Sequence, residues 1–115
     1  KEVDSIESID AAELLKRVNA GEGEILDVRK NSEYLSEHVV DVENAPLDFI
    51  NESMLKINKD KTYFVHCASG YRSMIFNSTL RARGFDNLID LVIYFYYVFI
   101  LYKKYYYKAV QIFKK

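Results

Sequence analysis

Thr62-Tyr63-Phe64-Val65-His66-Cys67-Ala68-Ser69-Gly70-Tyr71-Arg72-Ser73 decides how this chain is read. A short apolar, β-branched and aromatic run ends at the only cysteine. Small residues including Gly70 then lead into an arginine and a helical pattern. The pattern predicts a strand, a tight loop and a helix, with the strongest nucleophile at the turn. If Ala68 to Arg72 wrap the sulfur and open a helix near Tyr71, their N–H groups are the unpaired donors of a helix N-terminus. Together with Arg72 and the helix dipole, such a loop stabilises the Cys67 thiolate. Spacing alone supports an inert reading equally well, with Cys67 as a small core hydrophobe.

Upstream, Ser8 to Val18 has apolar residues at helical spacing. Ser8 or Asp10 is a candidate N-cap, and Gly21 and Gly23 close the helix. Ser5-Ile6 before it reads as a short edge strand. Glu24 to Arg29 is an apolar run too short for a helix and is read as a buried strand. Asp27 and Arg29 fall on one face of that strand. A buried charged pair is costly unless its members bond each other, so the two are expected to hold loops at the strand's C-terminal end. A direct role for Arg29 at an anion site stays open.

Asn31 to Glu37 predicts a short helix capped by Asn31 or Ser32, followed by a loop with a short strand near Val42 to Ala45 that ends at Pro46. His38 in this loop is read as a structural hydrogen-bonder rather than a base. A helix is expected over Asp48 to Ile57, another over Tyr71 to Arg83 stopped by Gly84, and a last strand over Phe85 to Asp90. Strands and helices alternate, which argues for a parallel sheet with helices on both faces and a site beyond the C-terminal strand ends.

At 115 residues the chain holds one domain. Its net charge of −1 gives no electrostatic footprint for nucleic acid or for an anionic membrane. One cysteine cannot form an internal disulfide, so a reducing cytoplasm is the expected compartment. The start at Lys1-Glu2-Val3-Asp4 lacks methionine and an apolar signal core, which suggests a piece of a longer or processed protein and a neighbouring domain as partner.

Residues 1–90 form the expected domain core, and 91–115 differ in character. This tail carries seven tyrosines and five lysines and no acidic residue, glycine or proline. Its uninterrupted apolar part, Leu91 to Tyr102, falls short of the roughly twenty residues a spanning helix needs, so a transmembrane span is rejected and membrane contact is not expected. The tail is read either as a terminal strand and helix or as a non-native ending, because its residues are mostly those of A/T-rich codons that a shifted frame would produce.

Four features in order resemble the rhodanese-like sulfurtransferase domain over about Ser5 to Asp90. They are Leu26-Asp27-Val28-Arg29, then Glu33-Tyr34 with His38, then Asn44-Ala45-Pro46-Leu47, and His66-Cys67-Ala68-Ser69-Gly70-Tyr71-Arg72 followed by Ser73. The resemblance implies an α/β fold with a central, mostly parallel five-stranded sheet flanked by helices on both faces. It also implies a cysteine that carries sulfane sulfur as a persulfide, and no metal or organic cofactor. Cys67 would be the nucleophile and sulfur carrier. Backbone amides of Ala68, Ser69, Gly70, Tyr71 and Arg72 would hold its anion, Arg72 would close the loop, and Arg29 could attract an anionic donor. Asp27 and His38 would support the loops. The donor would be thiosulfate or a persulfide, and the acceptor a thiol or cyanide. Phosphatases that share the fold place five residues between cysteine and arginine. Here there are four, which favours sulfur over phosphate or arsenate. The competing functions are a non-catalytic interaction module and a cysteine phosphatase or arsenate reductase. The chain departs from the family pattern at Glu37, at Asp41-Val42 and at Leu91-Val92-Ile93.

Overall fold

In the computed structural model, residues 8–39, 42–91 and 113–114 are described. The apolar run before Cys67 forms the strand β5, Tyr63–His66, and every one of its residues is buried. Its neighbours explain why it lacks polar alternation: it is the middle strand of a five-stranded sheet, covered on both faces. The other strands are β1 (Ser8–Ile9), β2 (Glu24–Asp27), β4 (Glu43–Asn44) and β6 (Leu88–Leu91), in the order β1-β6-β5-β2-β4. All four pairings are parallel, and β5 matches β2 from Glu24 against Tyr63 to Asp27 against His66.

The helices are α1 (Ala11–Asn19), α2 (Asn31–Ser36), α3 (Ile50–Met54) and α4 (Tyr71–Ala82). The connections through α1 and α2 step one way across the sheet, and those through α3 and α4 step the other way. Because such crossovers are right-handed, the two pairs of helices cover opposite faces. The direction changes between β2 and β5, so a crevice opens beyond their C-terminal ends. Arg29 follows one of these strands and Cys67 the other.

Local chemistry sets the helix ends. Asp10 caps α1 by accepting from the Glu13 N–H at 2.9 Å. The cap of α2 falls one residue before Asn31 and Ser32, at Lys30, because Glu33 reaches back to accept from the Lys30 N–H at 3.1 Å. The helix expected over Asp48 to Ile57 splits into a 3-10 turn, Leu47–Phe49, and the short α3. Bonds that span three residues, from Leu55, Lys56 and Ile57 back to Glu52, Ser53 and Met54, tighten and end it. Gly84, at φ 94°, stops α4 as expected. The last strand starts at Leu88 rather than Phe85.

One glycine is required for space rather than for its dihedral. A Cβ on Gly23 would stand 2.6 Å from Cε2 of Phe64 and 2.9 Å from the Thr62 carbonyl oxygen. Phe64 is fully buried in β5, so neither neighbour can give way. Gly23→Ala is expected to destabilise the domain by about 1–3 kcal/mol, read as a lower denaturant midpoint at an unchanged slope.

The expected strand at Ser5-Ile6 lies outside the described residues; among the described residues the edge strand is Ser8–Ile9. In the tail, Leu91 ends β6, and Phe113–Lys114 (β7) pairs antiparallel with β3 (His38–Val39). The other expectations for the tail lie outside the described residues. Among the described residues no helix is long and apolar enough to cross a membrane.

Candidate active site

Cys67 sits at the C-terminal end of β5, at the base of the loop that turns into α4, and is only 1% exposed. Gly70 adopts φ 96°, a conformation that costs glycine little, and this lets the chain double back over the sulfur. The Gly70 N–H donates to Sγ at 3.1 Å and the Ser73 N–H at 3.3 Å. The thiol lies 3.6 Å from Ser73 Oγ, whose hydroxyl in turn donates to the Gly70 carbonyl at 3.1 Å. Two backbone donors aimed at one sulfur favour negative charge there. Ser73, one residue beyond the expected cradle, supplies one of the two.

Among the described residues, the N–H groups of Ala68, Ser69, Tyr71 and Arg72 find no acceptor. They are the donors that a helix start and its preceding loop leave over, on the stretch that follows a sulfur already carrying two hydrogen bonds. The side chains of Ser69 and Tyr71 are exposed and form the rim.

Arg72 bonds a partner that local sequence could not name. Its Nη1 and Nη2 meet both carboxylate oxygens of Glu33, on α2, at 2.5 and 3.1 Å. This bidentate bond ties α2 to α4 across the crevice. It also holds the Glu33 carboxyl below the usual carboxylate range and raises Arg72 in return. On acidification the unfolded chain therefore takes up the Glu33 proton first. The pair's contribution is complete above the unfolded value of about 4.3 and fades as pH falls toward the lower folded value. Both side chains are partly solvated, so Glu33→Gln should lower stability at neutral pH by no more than about 1 kcal/mol. Thermal unfolding should show that gap at neutral pH and no gap in acid below the folded value.

Asp27 and Arg29 pair as expected and are both buried. Arg29 Nε lies 3.1 Å and Nη2 2.9 Å from the Asp27 carboxylate, while Nη2 also donates to the Glu37 carbonyl at 2.8 Å. Arg29 thus clamps the loop after α2 to the end of β2. It is 5% exposed, and the structure presents it as a strap, not as an open guanidinium awaiting a substrate. Asn44 completes the strap by donating from Nδ2 to the carbonyls of Asp27 and Arg29, both at 3.0 Å.

His38 is held in a supporting position, with Nδ1 2.7 Å from the Tyr34 carbonyl and its ring stacked on Tyr34 at 3.8 Å. His66 packs on the opposite side of β5 from Cys67, with Nε2 3.8 Å from Asp27. Burial pushes its imidazole below the ordinary range against the pull of Asp27, so it stays neutral at physiological pH. Beside the cradle, Val28, Lys30, Leu47, Asp48 and Arg72 line a cavity of about 120 Å³.

Asp90, on β6, is the buried acid that sequence reasoning passed over. Its one visible signal is an acidic residue inside the apolar run Leu88-Ile89-Asp90-Leu91.

Known proteins resemble this chain in sequence and fold. The family model for the rhodanese-like domain matches residues 10–93. YrkF of Bacillus subtilis, named as a candidate sulfur carrier protein, is 30% identical over 89 residues, covering 76% of this chain and 48% of that protein. The chain therefore spans about half the length of that curated relative. A rhodanese-related protein from Thermoplasma volcanium superposes with a TM-score of 0.72 at 27% identity, over 83% of this chain and 92% of that one. A rhodanese-like domain protein from Staphylococcus aureus gives 0.72 at 26%, over 81% and 91%.

Proposed function

The chain belongs to the rhodanese-like domain family, and from that premise we propose that it is a sulfurtransferase carrying sulfane sulfur as a persulfide on Cys67. The observation that carries this reading is the cradle. Two N–H groups already bond Sγ, and four further loop N–H groups have no acceptor among the described residues. A thiolate satisfies the first two donors. A terminal persulfide sulfur, one bond further out, is an anion for the rest.

In the first half-reaction the Cys67 thiolate attacks the outer sulfur of thiosulfate. A sulfur–sulfur bond forms to Cys67, the sulfur–sulfur bond of the donor breaks, and sulfite leaves with its electron pair. In the second, a thiolate or cyanide attacks the terminal sulfur, and Cys67 returns as a thiolate. The charge balances in both halves, so no general base is required, in keeping with the supporting positions of His38 and His66. Lys30 and Arg72, on the small cavity beside the loop, suit an anionic donor. Nucleic acid is no partner on this reading, given the net charge of −1.

The test is direct. The folded protein is incubated with thiosulfate, intact mass is read for a gain of one sulfur atom, and cyanide is then added to remove it. A protein that gains no sulfur while its cysteine alkylates normally is not a sulfurtransferase of this kind. Cys67-dependent hydrolysis of an aryl phosphate would instead support the phosphatase.

A further inference from the structure

We propose that the small cavity beside the cradle takes a free aminothiol acid of the cysteine class as the sulfur acceptor, with Lys30 meeting its carboxylate and Asp48 its ammonium group. The inference rests on Cys67 being the sulfur carrier of the function proposed above. Val28, Lys30, Leu47, Asp48 and Arg72 line the cavity. Two backbone bonds fix its place next to the reacting strand: the Val28 N–H donates to the His66 carbonyl at 3.0 Å, and the Leu47 N–H donates to the Val28 carbonyl at 3.1 Å. Lys30 follows shortly after Val28 and Asp48 directly after Leu47, so both charged residues are carried on backbone anchored beside Cys67.

Charge at this cavity is of both signs. The guanidiniums nearby are already matched, Arg29 by Asp27 and Arg72 by Glu33. Lys30 and Asp48 are different: both are exposed, and among the described residues neither has an ion-pair partner, although they border the same space. A dianion placed there is drawn by Lys30 and opposed by Asp48. A molecule that carries one charge of each sign is drawn by both.

Size narrows the class further. At about 120 Å³ the cavity is smaller than one of about 150 Å³ that holds benzene, so the molecule it takes has only a few heavy atoms. Val28 and Leu47 give it an apolar wall that suits the methylene of an aminothiol, while the exposed Lys30 and Asp48 meet the charged ends at the mouth. The acceptor's thiolate attacks the terminal sulfur of the Cys67 persulfide. A new sulfur–sulfur bond forms, the one to Cys67 breaks, and Cys67 leaves with the electron pair as a thiolate. The product is the persulfide of the amino acid. Exposed ion pairs are weak, so each charged end contributes about threefold to fivefold in selectivity rather than orders of magnitude.

In the test, Cys67 is loaded from thiosulfate and the rate of the second step is measured with L-cysteine, with 3-mercaptopropionate, which lacks the ammonium group, and with cysteamine, which lacks the carboxylate. Comparing the ratios of these rates between proteins cancels the intrinsic reactivity of each thiol. Asp48→Asn should lower the cysteine-to-mercaptopropionate ratio at least about threefold, Lys30→Met should lower the cysteine-to-cysteamine ratio by as much, and Lys30→Arg should keep it. A smaller fall in either ratio overturns the proposal, because a merely structural role slows all three thiols alike. Binding is read separately by NMR, with no sulfur transfer: L-cysteine is titrated anaerobically into the reduced protein while the Val28 and Leu47 amide signals are followed. Saturable shifts are expected, with affinity at least about threefold weaker in Lys30→Met. If they are absent from a protein that loads sulfur, the acceptor proposal falls and the sulfurtransferase reading stands. If they are present in a protein that takes no sulfur from thiosulfate, the sulfurtransferase reading falls and the ligand class of the cavity stands.

Discussion

Arg29→Ala is expected to destabilise this domain by about 3–5 kcal/mol, because it leaves the carboxylate of Asp27 buried without its cation. The same substitution frees the Glu37 carbonyl and loosens the loop after α2. For a small domain whose total stability is about 5–15 kcal/mol, that is a large fraction, and urea unfolding should register it as a lower midpoint. Asp27→Asn combined with Arg29→Met should recover most of the loss, since removing both charges leaves neither one stranded. This experiment also separates two roles for Arg29. A strap gives lost stability with little change in thiosulfate affinity per folded molecule. An anion receptor gives a raised KM in a protein of normal stability, and that outcome would return Arg29 to the substrate.

Cys67→Ser is expected to abolish sulfur loading from thiosulfate while the domain stays folded. The hydroxyl is close in size to the thiol and can occupy the same position between the Gly70 and Ser73 amides, so the packing change is small. Chemically it is severe. A serine hydroxyl does not ionise at neutral pH without a base, and neither His38 nor His66 is placed to serve as one. Intact mass after thiosulfate treatment should show no added sulfur, with a circular dichroism spectrum matching wild type. Retained loading on the serine variant would move the chemistry to another group.

The two experiments probe different links of one chain of causes. Arg29 acts on the end of α2, the helix that carries Glu33, and so, indirectly, on the Glu33–Arg72 bond. Cys67 acts at the reacting atom. If sulfur loading falls in Arg29→Ala only in proportion to the folded fraction, the strap and the cradle are coupled through folding alone.

Much of this site is legible in the order of its amino acids. The run from Thr62 to Ser73 announces its strand, loop and helix because each is written in neighbouring residues: β-branched and aromatic residues for the strand, Gly70 for the turn, helical spacing afterwards. The Asp27–Arg29 pair is readable too, since side chains two apart on a strand share a face. Less visible are the ends. Lys30 rather than Asn31 caps α2 because Glu33 is the residue that reaches back, and the helix after Pro46 tightens early.

The sequence by itself determined the alternating α/β plan, the sheet's crevice as the place of the site, the four-residue step from Cys67 to Arg72 and the family. All of these depend on order and short spacing. Only the tertiary structure decided that Ser73 as well as Gly70 bonds the sulfur and that Arg72 closes on Glu33. The physical reason is separation along the chain. Glu33 and Arg72 stand 39 positions apart and meet because consecutive crossovers bring α2 and α4 to the same end of a parallel sheet. A period of two or of 3.6 residues can be read from a sequence, but a partner delivered by a crossover cannot.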